Sequence, residues 1–218
     1  MNSHPSACHP ETLMLSHGYE PKWSENSLKA PLFLTSTFIF PTAEQGKHDF
    51  ELAYNLVPSK PSEIPDLIYS RINNPNLEIL ESRLCVWDGT EKGLVFASGM
   101  AAIATSVMAL ARPGEAIMAS DPVYGGTHAL LESLMPKYGV KTFWVKAGGR
   151  REEWEETAKQ AKTEGRKIKL IYCESPANPS IILTDLKMLN EVRNGLEMEE
   201  GSKIYFAVDN TFLGKFCY

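Results

Sequence analysis

Five short segments carry side chains able to do chemistry. Tyr69-Ser70-Arg71 stands directly before an Asn-Asn-Pro helix start. Ser98-Gly99-Met100 follows the apolar run GLVFA. Asp121-Pro122-Val123-Tyr124-Gly125-Gly126-Thr127 follows AIMAS, and Glu174-Ser175-Pro176-Ala177-Asn178-Pro179 follows KLIYC. Val208-Asp209-Asn210-Thr211 ends KIYFAVDN. A small residue and a glycine at a helix start offer free N–H groups and the positive dipole end to an anion. A tyrosine before two glycines can lie flat on an aromatic ring. A carboxylate ending an apolar strand needs a cationic or donor partner, such as a ring nitrogen that carries a proton.

The elements that must position these residues follow from periodicity. GLVFA, AIMAS, KTFWV, KIKLIYC and KIYFAVDN read as short buried strands. MAAIATSVMALA, THALLESLMPKYG, REEWEETAKQAKTEG and TDLKMLNEVRNG read as the helices between them. Strands alternating with helices predict an α/β fold, a mostly parallel sheet with helices on both faces. In such sheets ligands sit at the C-terminal strand ends, so the last four segments are expected on one rim. Nearer the N-terminus, residues 1–30 read as a polar arm, and APLFLTSTFIF as an extended run ahead of a short helix near Thr42. Residues 51–66, with three prolines, read as a loop. Asn74 is a candidate N-cap with Pro75 in the first helical position. Leu77, Leu80, Leu84 and Trp87 predict an apolar face on the helix that follows.

Each signal has a plainer reading. Ser98 suits an ordinary strand–helix turn, Tyr124 a core-rim position, and Asp209 a turn or cap. Together they describe a site for a flat, phosphorylated aromatic cofactor with a basic ring nitrogen, and pyridoxal phosphate meets all three demands. A dinucleotide fits worse, because no GxGxxG follows the first strand.

Composition narrows the partners. The formal charge is -5 with no basic cluster, which argues against nucleic acid or an anionic membrane. No apolar run reaches the roughly 20 residues of a membrane span, and the N-terminus lacks the pattern of a signal peptide. A cytoplasmic location is expected. Four scattered cysteines form no CxxC, which suits free thiols in a reducing compartment. His4 and His9 do not suggest a metal site.

The motifs LTSTFIFPTAEQG, YSRINNPN, FASGMAAI, DPVYGGT, ESPANP and VDNTFLG resemble the Cys/Met-metabolism family of pyridoxal-phosphate enzymes. That family includes cystathionine γ-synthase, cystathionine γ-lyase, methionine γ-lyase and O-acetylhomoserine sulfhydrylase. The resemblance runs from about His17 to Leu213. It implies the large domain of a fold-type I pyridoxal-phosphate transferase. It also implies that Tyr69 and Arg71 reach the cofactor phosphate of a neighbouring protomer in a dimer of dimers. Ser98, Gly99 and Met100 would face the phosphate, with backbone N–H groups from Gly99 and Met100. Tyr124 would stack on the ring and assist proton movement near the leaving group, the catalytic part. Asp209 would pair with the ring nitrogen, Asn178 would lie near the ring oxygen, and Glu174 would support that region. The substrate would be a small amino acid of sulfur metabolism, undergoing γ-elimination or γ-replacement. Methionine γ-lyases commonly carry a cysteine two residues after the stacking tyrosine; Gly126 stands there.

The family's cofactor-attaching lysine lies in a Ser-Ala-Thr-Lys-like segment beyond the aspartate, and no such segment occurs in these 218 residues. Lys215, in GKFCY, does not match it. The expectation is therefore an incomplete, inactive fragment, truncated before that lysine and the small C-terminal domain. It comprises an N-terminal arm and intersubunit segment (1–66) and an incomplete cofactor-binding domain (67–218). A non-catalytic short paralogue that associates with a full-length subunit is the alternative.

Overall fold

Alternating apolar side chains set the layout of the sheet. The computed structural model describes residues 8–58, 60, 63 and 65–214; His4, Lys215 and Cys217 lie outside them. By internal contacts the chain divides into Met1–Val95 and Phe96–Tyr218.

In the second unit, four strands pair in parallel: β1 (Glu115–Asp121), β2 (Lys141–Lys146), β3 (Lys167–Glu174) and β4 (Tyr205–Asp209), in the order β2-β1-β3-β4. Successive side chains point to opposite faces. Met118, Phe143, Val145, Ile171 and Cys173 pack with Trp154, Ala158, Leu189 and Val192 on one face. Ile117, Ala119, Leu170 and Tyr172 pack with Val107, Leu130, Leu131 and Met135 on the other. Both faces are therefore covered, as parallel sheets require. Ala116 pairs with Ile168 but Ile117 with Leu170, so Lys169 is an extra residue in β3. That bulge puts Ile168 and Ile171 on the same face, and it sets which face receives Tyr172 and Glu174.

The helices of this unit are α4 (Gly99–Leu110), α5 (Gly125–Ala129), α6 (Arg151–Thr163) and α7 (Leu186–Glu200), after three in the first unit. Asp185 caps α7 by accepting the Met188 N–H at 2.9 Å. Three details depart from the pattern. GLVFA is not a strand: nothing among the described residues pairs with it, Leu94 is exposed, and the Val95 N–H donates to a Glu81 carboxylate oxygen at 2.9 Å. The run Thr127–Gly139 is not one helix, because α5 passes into wider π turns (Leu130–Leu134) and then a tight 3-10 turn (Met135–Tyr138). Pro136 has no N–H to continue an α-helical ladder. Finally, α7 runs past Gly195 to Glu200; a Cβ at Gly195 would meet nothing within 4 Å, so this glycine faces open space, and Leu196 still packs on the core.

The first unit holds α1 (Pro10–Leu13), a 3-10 turn (Pro21–Trp23), α2 (Ala43–Ala53) and α3 (Pro75–Asp88). The stretch 8–30 thus contains two short helical turns. Thr42 caps α2 through the Gln45 N–H; the helix continues to Ala53, so the loop begins later than the prolines suggest. Asn74 and Pro75 open α3 as the sequence predicts, and Gly89 closes it with φ +67, a conformation that favours glycine. The apolar face of α3 is half-exposed. Leu77, Leu80 and Leu84 are 39%, 42% and 37% exposed, and Ile79 is the buried residue of the helix.

Trp154 is fully buried in the core, and its indole N–H has no partner among the described residues. Trp154→Ala should lower unfolding stability by about 3–5 kcal/mol in urea titrations, the usual range for an emptied aromatic site. Trp154→Phe should cost clearly less, since it sacrifices no hydrogen bond.

Candidate cofactor site at the strand ends

Strand register brings two carboxylates together. Glu174 stands opposite Asp209 in the β3–β4 ladder, and each is held by its own donors. Glu174, buried, accepts the Tyr124 N–H and the Asn178 N–H, both at 2.7 Å. Its own N–H donates to Ser120 Oγ at 3.2 Å. One side chain thus ties the loop after β1 to the loop after β3. Burial pushes its pKa up, the two backbone N–H groups draw it back, and the charge of Asp209 adds to the rise.

Asp209 ends β4. Its Oδ1 accepts from the Thr211 N–H and hydroxyl, and its Oδ2 accepts from the Tyr172 hydroxyl at 3.2 Å. The Asp209 carbonyl accepts the Ser175 N–H at 3.1 Å. Sequence reasoning missed Tyr172, and it named Thr211 in the segment with Asp209 without giving it a role. Tyr172 was findable as a phenol in an apolar strand, two residues before Glu174 and so on the same face.

Opposite the strand ends, α4 begins at Gly99. Ser98 Oγ accepts the Ala101 N–H at 3.1 Å. The Gly99 and Met100 N–H groups make no hydrogen bond among the described residues. Tyr124, 46% exposed, extends toward this helix start. A Cβ at Gly126 would lie 2.6 Å from Tyr124 Cε1 and 2.9 Å from Met100 Sδ, so ring, thioether and glycine converge. A cleft of about 270 Å³ is lined by Gly99, Ile103, Tyr172, Ala207, Asp209 and Thr211, among others.

Six sequence candidates (Ser98, Gly99, Met100, Tyr124, Glu174 and Asp209) are therefore linked directly or through one neighbour, with Asn178 joined through Glu174. Tyr69 and Arg71 lie in the first unit. There, Phe38 N–H donates to the Ile68 carbonyl and Ser70 N–H to the Ser36 carbonyl, with Thr37 and Tyr69 forming an antiparallel bridge. Asn73 Oδ1 accepts the Ile68 N–H at 2.9 Å, which accounts for the asparagines after Arg71. The exposed Arg71 guanidinium stands 5.7 Å from the Tyr69 ring centroid, and it makes no ion pair among the described residues.

This parallel sheet with polar residues at its strand ends defines an α/β protein, a class that takes ligands at that rim. A model of Cys/Met metabolism PLP-dependent enzymes matches residues 11–217, and the chain belongs to that family. It is 33% identical over 201 residues to an L-methionine gamma-lyase of Pseudomonas putida, covering 92% of this chain and 45% of that one. It is 32% identical over 201 residues to Sulfhydrylase FUB7 of Fusarium oxysporum f. sp. lycopersici, covering 92% of this chain and 41% of that one. A Campylobacter jejuni structure assigned as an O-acetylhomoserine (thiol)-lyase, with N'-pyridoxyl-lysine-5'-monophosphate, matches with TM-score 0.79 at 26% identity, covering 95% of this chain and 45% of that one. The chain spans less than half the length of these relatives.

The family's cofactor, pyridoxal 5'-phosphate, fits the residues present. A Cβ at Gly99 would meet nothing within 4 Å, so the helix start is open to a phosphate. The Asn210 side-chain oxygen, in the same cleft as Asp209, is buried without a partner among the described residues.

Burial, with the charge of Asp209, pushes the Cys173 thiol up to about 12. Since the thiolate is the reactive form, iodoacetamide at pH 8 should label the exposed Cys8 and leave Cys173 unmodified until the chain is unfolded. Peptide mass mapping reads the two sites separately.

Proposed function

We propose that this chain is the cofactor-binding portion of a pyridoxal-phosphate enzyme of sulfur amino-acid metabolism, carrying out γ-elimination or γ-replacement on a small amino acid. The observation that carries the reading is the donor-held Asp209 carboxylate sharing one cleft with the open start of α4. When bound, pyridoxal phosphate supplies a protonated aromatic ring that withdraws electrons from the substrate. Asp209 holds the proton at the ring nitrogen. Gly99 and Met100 offer N–H groups to the phosphate beside Ser98. Tyr124 would cover the ring and move a proton at its phenol oxygen, near the departing group. Asn178 would approach the ring oxygen, and Glu174 holds the loops of Tyr124 and Asn178 by accepting the backbone N–H of each. Tyr69 and Arg71 complete the phosphate site of a neighbouring copy, with Arg71 giving charge-assisted hydrogen bonds.

The half-exposed leucines of α3 support an assembly of copies, since such a face is normally covered. Methionine, cystathionine and activated homoserine are the candidate substrates. Gly126 stands where methionine γ-lyases commonly carry a cysteine, which counts against methionine, while the likeness to an L-methionine gamma-lyase counts for it. Cystathionine γ-synthase-type transsulfuration thus stays within the proposal, in a cytoplasmic homotetramer.

The test is fluorescence titration of the chain with pyridoxamine 5'-phosphate, whose amine avoids reaction with surface lysines. Saturable binding is expected, weakened by at least about tenfold in Asp209→Ala, the low end for losing a hydrogen bond to a charged group. Equal affinity in that variant would remove Asp209 from the site.

A further inference from the structure

Asp209 is held from two sides, and the two sides differ in kind. Thr211 is a local partner: two residues on, it closes a turn onto Oδ1 through its N–H and hydroxyl. Tyr172 is a distant partner on another strand. It lies opposite Ala207 in the β3–β4 ladder, one side-chain repeat short of Asp209. The length of its ring carries the hydroxyl along the sheet to Oδ2 at 3.2 Å. The ring itself is 4% exposed and packed in the core of the α4 face, so it has little freedom to follow the carboxylate if that moves.

We infer that Tyr172 is a positioning residue for Asp209, anchoring the carboxylate to the rigid sheet so that it meets the ring nitrogen of the bound cofactor. This rests on the function proposed above. Burial, then the negative charge of Asp209, raise the phenol's pKa beyond its ordinary range. Tyr172 therefore stays neutral and remains a donor across the physiological range. The turn at Thr211 fixes one oxygen but leaves the carboxylate free to rotate about it; the Tyr172 bond removes that rotation. A carboxylate held at both oxygens is pre-organised, and less of its attraction for a pyridinium is lost in ordering.

The experiment uses pyridoxamine 5'-phosphate labelled with nitrogen-15 in the ring. The ring-nitrogen chemical shift, followed against pH, reports its protonation in the bound state. The chain, Tyr172→Phe, Asp209→Asn and the double variant are compared, each checked for native-like circular dichroism. Tyr172→Phe should reduce the bound ring's proton affinity by roughly tenfold, about one pKa unit, and Asp209→Asn by more. The double variant should match Asp209→Asn alone, because Tyr172 then has no carboxylate to place. If Tyr172→Phe titrates like the parent while Asp209→Asn does not, the inference is overturned and the proposed function stands. The inference also falls if Tyr172→Phe lowers the proton affinity equally in the Asp209→Asn background, since its effect would then be general packing. If Asp209→Asn titrates like the parent, or the parent does not bind, the proposed role of Asp209 fails and takes this inference with it.

Discussion

Two carboxylates side by side in a parallel ladder would repel each other unless each had its own donors, and this constraint organises the rim. Glu174 and Asp209 are register partners. Glu174 is satisfied by backbone N–H groups from two loops. Asp209 is satisfied by a local turn and a phenol from the adjacent strand. The donors of Glu174 belong to Tyr124 and Asn178, so stabilising that charge also sets the two loops that carry site residues. Electrostatic satisfaction and site assembly are the same set of bonds.

The sheet makes that arrangement possible. The bulge at Lys169 shifts the alternation of β3, so Leu170, Tyr172 and Glu174 share the α4 face while Ile171 and Cys173 face α6 and α7. Were Lys169 instead counted into a regular ladder, the side chains beyond it would exchange faces, and Tyr172 could not reach the Asp209 side chain. A local irregularity in one strand thus decides which side of the sheet holds the site.

Much of this was legible in the sequence, for stated reasons. AIMAS, KTFWV, KIKLIYC and KIYFAVDN are short apolar runs between helices, and each forms a strand with a neighbour. Asn74 and Pro75 open a helix because cap chemistry is local. GLVFA has the same composition as the strands but no ladder partner among the described residues, and a strand is defined by its partner. The leucines of α3 form the stripe that their spacing predicts and are half-exposed, since periodicity says nothing about what covers a face. For the site, Tyr124, Glu174, Asn178 and Asp209 stood out at or just beyond strand ends, and Ser98 and Gly99 at a helix start. Tyr172 did not, because inside a strand a tyrosine reads as core until the register shows where its hydroxyl arrives.

The central claim is that the strand-end rim of this chain holds a phosphorylated pyridine. A crystal structure of the chain soaked with pyridoxamine 5'-phosphate tests it most directly. The phosphate is expected at the N–H groups of Gly99 and Met100, the ring against Tyr124, and the ring nitrogen within hydrogen-bonding distance of Asp209. Density for the molecule elsewhere, or a ring nitrogen turned away from Asp209, would contradict it.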